Sequence, residues 1–203
     1  MKKTLEEHAA RFDDVAGEYD DSQNDTEEYR ACVSLVVEHA DPDGDETVAD
    51  LGTGTGAIAL ALADQAGEVV GRDISEGMME RAREKAEAQG IDNVEFGEGR
   101  FREPDVDSAD VVVSNFAMHH LADAEKREAI EAIAELGPRK FVLGDVMFFG
   151  EPDPDEPFYS PEVDDPSTVG HLADALTDAG FALTAVERVH DQVGVLVAER
   201  GAE

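Results

Sequence analysis

One stretch constrains this chain more than any other: Val48-Ala49-Asp50-Leu51-Gly52-Thr53-Gly54-Thr55-Gly56. The apolar run from Val48 to Leu51 reads as a buried strand, and glycines follow it at alternate positions. Residues 57–63, Ala-Ile-Ala-Leu-Ala-Leu-Ala, read as a helix of strong formers. A strand that turns through glycines into a helix leaves backbone N–H groups and a positive dipole end beside the turn. Glycine also lets a ligand approach the backbone closely. About twenty residues on, Val69-Val70-Gly71-Arg72-Asp73 reads as a second strand ending in a carboxylate, the group that takes ribose hydroxyls in nucleotide-binding α/β folds. The stretch predicts a βαβ unit that holds a ribose-bearing ligand.

The glycine pattern alone leaves two ligands open, because Gly52-x-Gly54-x-x-Ala57 also satisfies the Ala-ended dinucleotide fingerprint. Asp50 tilts the choice. An anion at the strand end would repel a pyrophosphate but suits a cationic amine or sulfonium. Further on, Asp110-Val111-Val112-Val113-Ser114-Asn115-Phe116 reads as a fourth strand ending in polar residues, and His119-His120-Leu121 follows.

Together these motifs resemble class I S-adenosylmethionine (SAM)-dependent methyltransferases. Asp50-Leu51-Gly52-Thr53-Gly54-Thr55-Gly56 matches their first motif and Asp73 their acidic second. Residues 12–20, Phe-Asp-Asp-Val-Ala-Gly-Glu-Tyr-Asp, and residues 113–121 are similar to small bacterial and archaeal members. The resemblance implies a Rossmann-like α/β fold: a seven-stranded, mostly parallel sheet with its last strand antiparallel and helices on both faces. It implies SAM as cofactor, S-adenosylhomocysteine as product and a small-molecule methyl acceptor.

By the same resemblance the backbone of Gly52, Thr53, Gly54 and Gly56 approaches the methionine portion and ribose. Asp50 lies nearest the amino group, and Asp73 takes the ribose hydroxyls. Ile74 and Phe101 flank the adenine, Ser114 and Asn115 face the methyl, and Tyr19 sits on a lid. Met78 is either core or adenine wall. At Arg100 the chain departs from the family, which has an acid there to accept from the adenine amino group. Arginine has no acceptor. Either nearby backbone replaces it, or Arg100 stacks on the ring, or it turns outward to surface acid.

Composition bounds the partners. The 203 residues fit one α/β domain, residues 1–203, and 41% hydrophobic content fills one core. The net charge of −33 is spread from end to end, and Lys2, Lys3, Lys85, Lys126 and Lys140 are the only lysines. Even spread favours adaptation to molar salt over a dedicated cation-binding surface. The charge argues against a nucleic-acid backbone as partner. Cys32, the single cysteine, excludes an internal disulfide and a cysteine metal cluster. The start shows no apolar signal segment, and no apolar run approaches the ~20 residues of a membrane span. A cytoplasmic monomer or homodimer without membrane contact is expected.

Along the chain, a helix is expected from Leu5 to Tyr19 with Phe12, Val15, Ala16 and Tyr19 on one face. Asp20 to Asp25 should break it, and a second helix should run from Thr26 to His39. Residues 1–40 then form a helical lid. Ser75 caps a helix over residues 76–89 closed by Gly90, and Asn93 to Phe96 is a third strand. Residues 122–136 read as a helix and Lys140 to Val146 as a fifth strand. Residues 147–165 show no regular pattern and should cap the acceptor, with Phe148, Phe149, Phe158 and Tyr159 as a roof. A helix opens at Pro166, and residues 181–190 and 194–199 read as an antiparallel pair.

Methyl transfer from a sulfonium needs mainly alignment, and a base only when the nucleophile must lose a proton. His119 and His120 are the candidate catalytic residues, with His120 slightly preferred. Metal binding is disfavoured because neighbouring residues should point apart and no third ligand is evident. A buried structural role stays open for either ring. The nucleophile elbow Gly-x-Ser-x-Gly is missing around Ser114, so the constellation is not a hydrolase. Two other readings stand: a nicotinamide-linked oxidoreductase, and a SAM-binding module without catalysis. The charge generates one prediction. Lowering salt from molar to ~0.1 M lengthens the Debye screening from about 3 to about 10 Å, and helicity by circular dichroism should fall as the carboxylates repel. Unchanged stability would leave the cation-surface reading standing.

Overall fold

A computed structural model describes residues 5–17, 19, 26–152 and 157–201. Its elements in chain order begin with helices α1 (Leu5–Val15) and α2 (Glu27–Ala40). Then come β1 (Thr47–Leu51), α3 (Ala57–Leu62), β2 (Glu68–Asp73), α4 (Glu76–Gln89), β3 (Val94–Glu98) and β4 (Val111–Asn115). After a 3-10 turn, Met118–His120, follow α5 (Asp123–Glu135), β5 (Lys140–Phe148), β6 (Ser167–Thr168), α6 (Val169–Asp178), β7 (Ala182–His190) and β8 (Val193–Glu199).

The sheet order is β3-β2-β1-β4-β5-β8-β7, with β6 added beside the end of β5. The first five strands are parallel, and β8 runs antiparallel to both β5 and β7. Parallel central strands are covered on both faces, so they read as near-continuous apolar runs. In β4, Val111 and Val113 enter one core with Val48, Val69 and Val142, while Val112 enters the other with Ala49, Phe141 and Leu143. From β1 the chain moves outward to β2 and β3, then returns to place β4 on the other side. That reversal opens a crevice at the strand C-terminal ends, where ligands of open α/β sheets sit.

Several boundaries differ from the sequence reading. β5 runs two residues further, to Phe148, because Met147 and Phe148 pair with Ser167 and Thr168. Those two residues were expected to open a helix. Instead they form β6, and Thr168 caps α6 by accepting from the His171 N–H at 3.1 Å. β3 is Val94–Glu98, shifted toward its C-terminus by pairing with β2 out to Asp73. α1 ends at Val15, whose side chain is exposed rather than inward. The inward face is His8 and Phe12, with Tyr19 packed on Phe12 at 6.2 Å. The expected break at residues 20–25 and part of the expected cap, residues 153–156, lie outside the described residues.

One side chain of α1 bonds the start of α4. Asp13 Oδ1 accepts from Ser75 Oγ at 2.6 Å and from the Gly77 N–H at 2.9 Å, at the start of α4. Ser75 meanwhile caps that helix by accepting from the Met78 N–H.

The glycine turn generates a stability prediction. Gly52 has φ +74°, and a Cβ there would lie 2.4 Å from the Ala117 Cβ. Gly54 has φ +53° and nothing within 4 Å of an added Cβ. Gly52→Ala should cost roughly 1–2 kcal/mol for the left-handed backbone and a further ~1–3 kcal/mol for the overlap. Gly54→Ala should cost only the first. Denaturant melts of the two variants check the order, and equal losses would contradict it.

Candidate functional site

Two carboxylates organise the crevice. Asp50, at the end of β1, accepts at Oδ2 from Thr53 Oγ at 2.8 Å and from the Ala59 N–H at 3.2 Å. Burial pushes its pKa up to about 7, against those two hydrogen bonds and helped by the nearby Asp73 charge. Asp73, at the end of β2, accepts from the Gly54 N–H at Oδ2, 2.8 Å, and from the Ser75 N–H at Oδ1, 3.0 Å. Burial raises its pKa too, although both N–H groups favour the charged form.

The glycine turn does not cradle an anion as its pattern allowed. The Gly52 and Thr53 N–H groups donate to the Arg72 carbonyl at 2.8 and 3.0 Å, Gly54 N–H to Asp73, and Gly56 N–H to the Thr53 carbonyl. What the glycines supply is room above the strand end. With a buried acid beneath and its N–H groups turned inward, the turn suits a neutral or cationic ligand portion and repels a pyrophosphate.

A cavity of about 590 Å³ covers this turn. Of the residues singled out in the sequence, Tyr19, Asp50, Gly52, Thr53, Gly54, Asp73, Ile74, Met78, Arg100, Phe101, Asn115 and His120 line it. Gly56, Ser114 and His119 do not. An added Cβ at Gly56 would press on Ala82 and Phe96, so that glycine serves helix packing. Ser114 Oγ is buried with no hydrogen-bond partner among the described residues. Asn115 is more telling: both its amide atoms are buried without a partner among the described residues, on the cavity wall. Leaving such a group unpaired costs ~1–3 kcal/mol, so a polar ligand group fits there.

Sequence reasoning put Phe12 on the inward face of the first helix but did not place the other wall residues at the cavity. His8 and Phe12 come from α1, Tyr29 from α2, Phe116 and Leu121 from either side of the 3-10 turn, and Glu103 from the loop after β3. Only the packing of separate elements shows them. Phe116 has φ +52°, an uncommon backbone for an aromatic residue, which turns the chain sharply at the end of β4. The Arg100 guanidinium lies half-exposed, 4.0 Å from Glu98. The Arg100 backbone N–H and carbonyl pair with the backbone carbonyl and N–H of Glu103, which brings that residue to the same wall.

The aromatic roof is a correction. None of Phe148, Phe149, Phe158 and Tyr159 lines the cavity. Phe148 packs on Tyr159 at 5.6 Å, and Phe158 packs on Phe116 and His190 at 6.4 and 5.5 Å. Phe149 fills the space over Gly194. These rings fasten the segment to the sheet, and the residue that it delivers to the site is Asp164.

The histidine rings do not point apart. Their centroids are 4.1 Å apart. His119 Nδ1 lies 2.5 Å from Asp145 Oδ1 while its backbone N–H donates to Asp145 Oδ2. His120 Nδ1 lies 2.8 Å from Asp164 Oδ1, and His119 Nε2 faces that same oxygen at 3.9 Å. The Ser160 N–H holds the other Asp164 oxygen. A third group was therefore present, and His119, His120 and Asp164 bring donor atoms within 4.8 Å of one another. Those atoms are already paired among themselves. Burial opposes charge on His119, but Asp145 and Asp164 outweigh it and hold its pKa above the usual value. Burial, then the His119 charge, pushes His120 down to about 4 against the pull of Asp164. Cys32 is no nucleophile, since burial pushes its thiol up to about 12.

Known proteins now place the chain. Residues 48–137 match the model of a methyltransferase domain. The chain is 30% identical over 151 residues to an uncharacterized methyltransferase of Exiguobacterium sibiricum, covering 70% of this chain and 69% of that one. It belongs to the class I SAM-dependent methyltransferases. An uncharacterized methyltransferase of Bacillus subtilis, YcgJ, is 32% identical over 118 residues, 56% of this chain, and the match spans 46% of its length. The solved complex of DhpI with S-adenosylhomocysteine superposes with a TM-score of 0.75 at 21% identity, covering 98% of each chain. Proteins named as RNA methyltransferases match over shorter stretches, so kinship alone does not exclude nucleic acid as acceptor. For a member of this family, an acid beneath the turn and a second at the end of β2 suit a ligand that joins an amine, a sulfonium and a ribose. No described helix is long and apolar enough to cross a membrane.

The state of Asp50 generates a pH prediction. A cation bound beside a carboxylate that titrates near 7 lowers its pKa. SAM binding should therefore release protons near pH 6.5 and tighten as pH rises to about 7, with little release at pH 8.5. Calorimetry in buffers of different ionisation heat measures this. Asp50→Asn should abolish the release, and persistence in that variant would remove Asp50 from the amine's side.

Proposed function

We propose that this chain transfers the methyl group of SAM to a small-molecule acceptor. The observation that carries the reading is the buried acid under a glycine turn whose N–H groups point inward. It favours a sulfonium nucleoside over the dinucleotide of an oxidoreductase.

In this reading Asp73 receives the ribose hydroxyls while it anchors Gly54 and Ser75. Gly52, Thr53 and Gly54 let the methionine portion lie close to the backbone. Asp50 faces its amino group, and the unpaired Asn115 amide meets a polar group near the reacting end. Ile74, Met78 and Phe101 wall the adenine. Glu103, drawn to the wall by its pairing with Arg100, supplies the acceptor that the arginine lacks. Residues 1–40 act as a lid through His8, Phe12 and Tyr19. Bound SAM supplies an electrophilic methyl, so the protein contributes alignment and exclusion of water. His120, on the cavity wall, is the acceptor's contact and base, while His119 sits behind it.

A small molecule is preferred to RNA because the surface carries a net charge of −33, whereas phosphate contacts need clustered Lys and Arg. Nucleic-acid acceptors should give no turnover at a salt concentration where the protein is folded and binds SAM.

Asp73→Asn keeps one acceptor oxygen and should stay folded by circular dichroism, while SAM affinity by calorimetry falls by about 1–3 kcal/mol. NAD should not bind the parent protein. Unchanged SAM affinity in the folded variant would take the ribose away from β2.

A further inference from the structure

The acceptor side of the cavity differs in chemistry from the cofactor side. Its described walls include His8, Phe12, Tyr29, Phe116, His120 and Leu121, which are aromatic or apolar, and Glu125, which is paired with Arg102. The arginines on the cavity wall, Arg72, Arg100 and Arg102, belong to β2 and to the loop after β3. The cations that do approach the acceptor side are engaged: Arg102 reaches α5 and pairs with Glu125 and Glu128, and the buried Lys126 ammonium donates to the Asp165 carbonyl. A carboxylate or phosphate acceptor would find the nearby cations already matched by protein acids and carbonyls, and Asp164 and Asp145 behind the histidines would repel it.

The rings cluster around His120. Its centroid lies 5.2 Å from His8 and 5.5 Å from Phe12, while Phe116 packs on Tyr29 at 5.4 Å and on His119 at 6.4 Å. Offset and tilted rings at these distances are the packing that a further aromatic ring joins.

The hydrogen bond between His120 Nδ1 and Asp164 sets the tautomer. A carboxylate accepts, so Nδ1 carries the proton. Nε2, on the far side of the ring, then presents a lone pair. The carboxylate that fixes this tautomer also stabilises the ring once it takes a second proton. With its pKa at about 4 the ring does not ionise a free phenol, but it can take the proton as the forming O–C bond makes the hydroxyl strongly acidic, and transfer from a sulfonium needs a base only when the nucleophile carries a proton to be lost. A phenol, with an ordinary pKa near 10 as in tyrosine, combines a flat ring with such a proton. A thiolate has no proton to lose, and an aliphatic alcohol has no ring for the aromatic walls.

Resting on the function proposed above, we infer that the acceptor is a small uncharged phenol-type molecule, seated among Phe12, Tyr29 and Phe116, which gives its hydroxyl proton to Nε2 of His120. The acceptor oxygen's lone pair forms the O–CH3 bond as the C–S bond breaks. The C–S electron pair stays on sulfur as a thioether, and the hydroxyl proton ends on His120 and leaves to solvent. Asp164 is a positioning residue through Nδ1. His119, held by Asp145, is a second positioning residue, because its charge adds to burial in keeping the His120 ring neutral. Other charged or titratable groups around the pair are His8 on α1, and Glu125 and Lys126 on α5, with the Lys126 ammonium donating to the Asp165 carbonyl.

The test has three arms. Calorimetry first establishes SAM binding. With S-adenosylhomocysteine present, a panel of simple phenols, the matching benzoates, aliphatic alcohols, alkylamines and a short RNA is titrated for binding, then assayed for methylation. Phenols should bind at least tenfold tighter than benzoates and be the methylated class. His120→Gln should cut turnover by about 10²–10⁴-fold with SAM affinity within twofold. In the third arm, 15N shifts of the imidazoles at pH 6 should read His120 as the neutral Nδ1–H tautomer and His119 as charged. His119→Gln should raise the His120 titration midpoint toward 6.5, and Asp164→Asn should shift the tautomer balance toward Nε2–H. Failure of SAM to bind would sink the methyltransferase reading itself. If SAM binds but phenols neither bind nor react, or another class is methylated instead, the phenol assignment alone is overturned. An Nε2–H tautomer in the parent protein would overturn the role of His120.

Discussion

The site depends on the two oxygens of Asp73. One takes the Gly54 N–H and shapes the glycine turn, and the other takes the Ser75 N–H at the head of α4. Ser75 in turn donates to Asp13, so the same carboxylate is linked through one serine to α1 over the cavity. Turn, second strand, α4 and α1 are thus joined through three side-chain hydrogen bonds. A ribose bound at Asp73 would load the group that is also linked to α1, through Ser75.

The second organising feature is charge handled by burial. Asp50 and Asp73 sit buried within one cavity, and both pKa values are pushed upward. A buried carboxylate beside a space of the right size is an incomplete arrangement until a cation enters it. At the opposite wall the balance is different. Asp145 and Asp164 are matched by His119 and His120, so that cluster is satisfied from within. Two acidic pairs in one protein therefore have opposite roles, decided by whether a base already stands beside them.

The segment of residues 147–165 shows how composition can mislead. Four aromatics in a proline-punctuated stretch read as a pocket lid. The rings instead lie against β5, β7, β8, Phe116 and one another, and the stretch hands the site a single carboxylate, Asp164. Asp164 is one acid among many in this sequence, and nothing local distinguishes it. Its role comes from the Ser160 N–H that orients it and from the return of the chain past His119, whose carbonyl accepts the Asp165 N–H at 2.7 Å.

Much of the molecule is legible in the one-dimensional pattern for a local reason. A valine-rich strand, a turn that needs positive φ, a cap at Ser75 and a stop at Gly90 each act within a few residues. From them follow the βαβ unit, the parallel core of the sheet, Asp50 and Asp73, and the family. What the sequence could not express is which distant groups meet. It could not show that the turn's N–H groups point inward, that Glu103 comes back to Arg100, or that Val15 faces out while His8 faces in. Nor could it show that His119 and His120 lie side by side and divide two carboxylates between them. Each of these depends on contacts between residues far apart in the chain, and long-range packing, not local propensity, decides them.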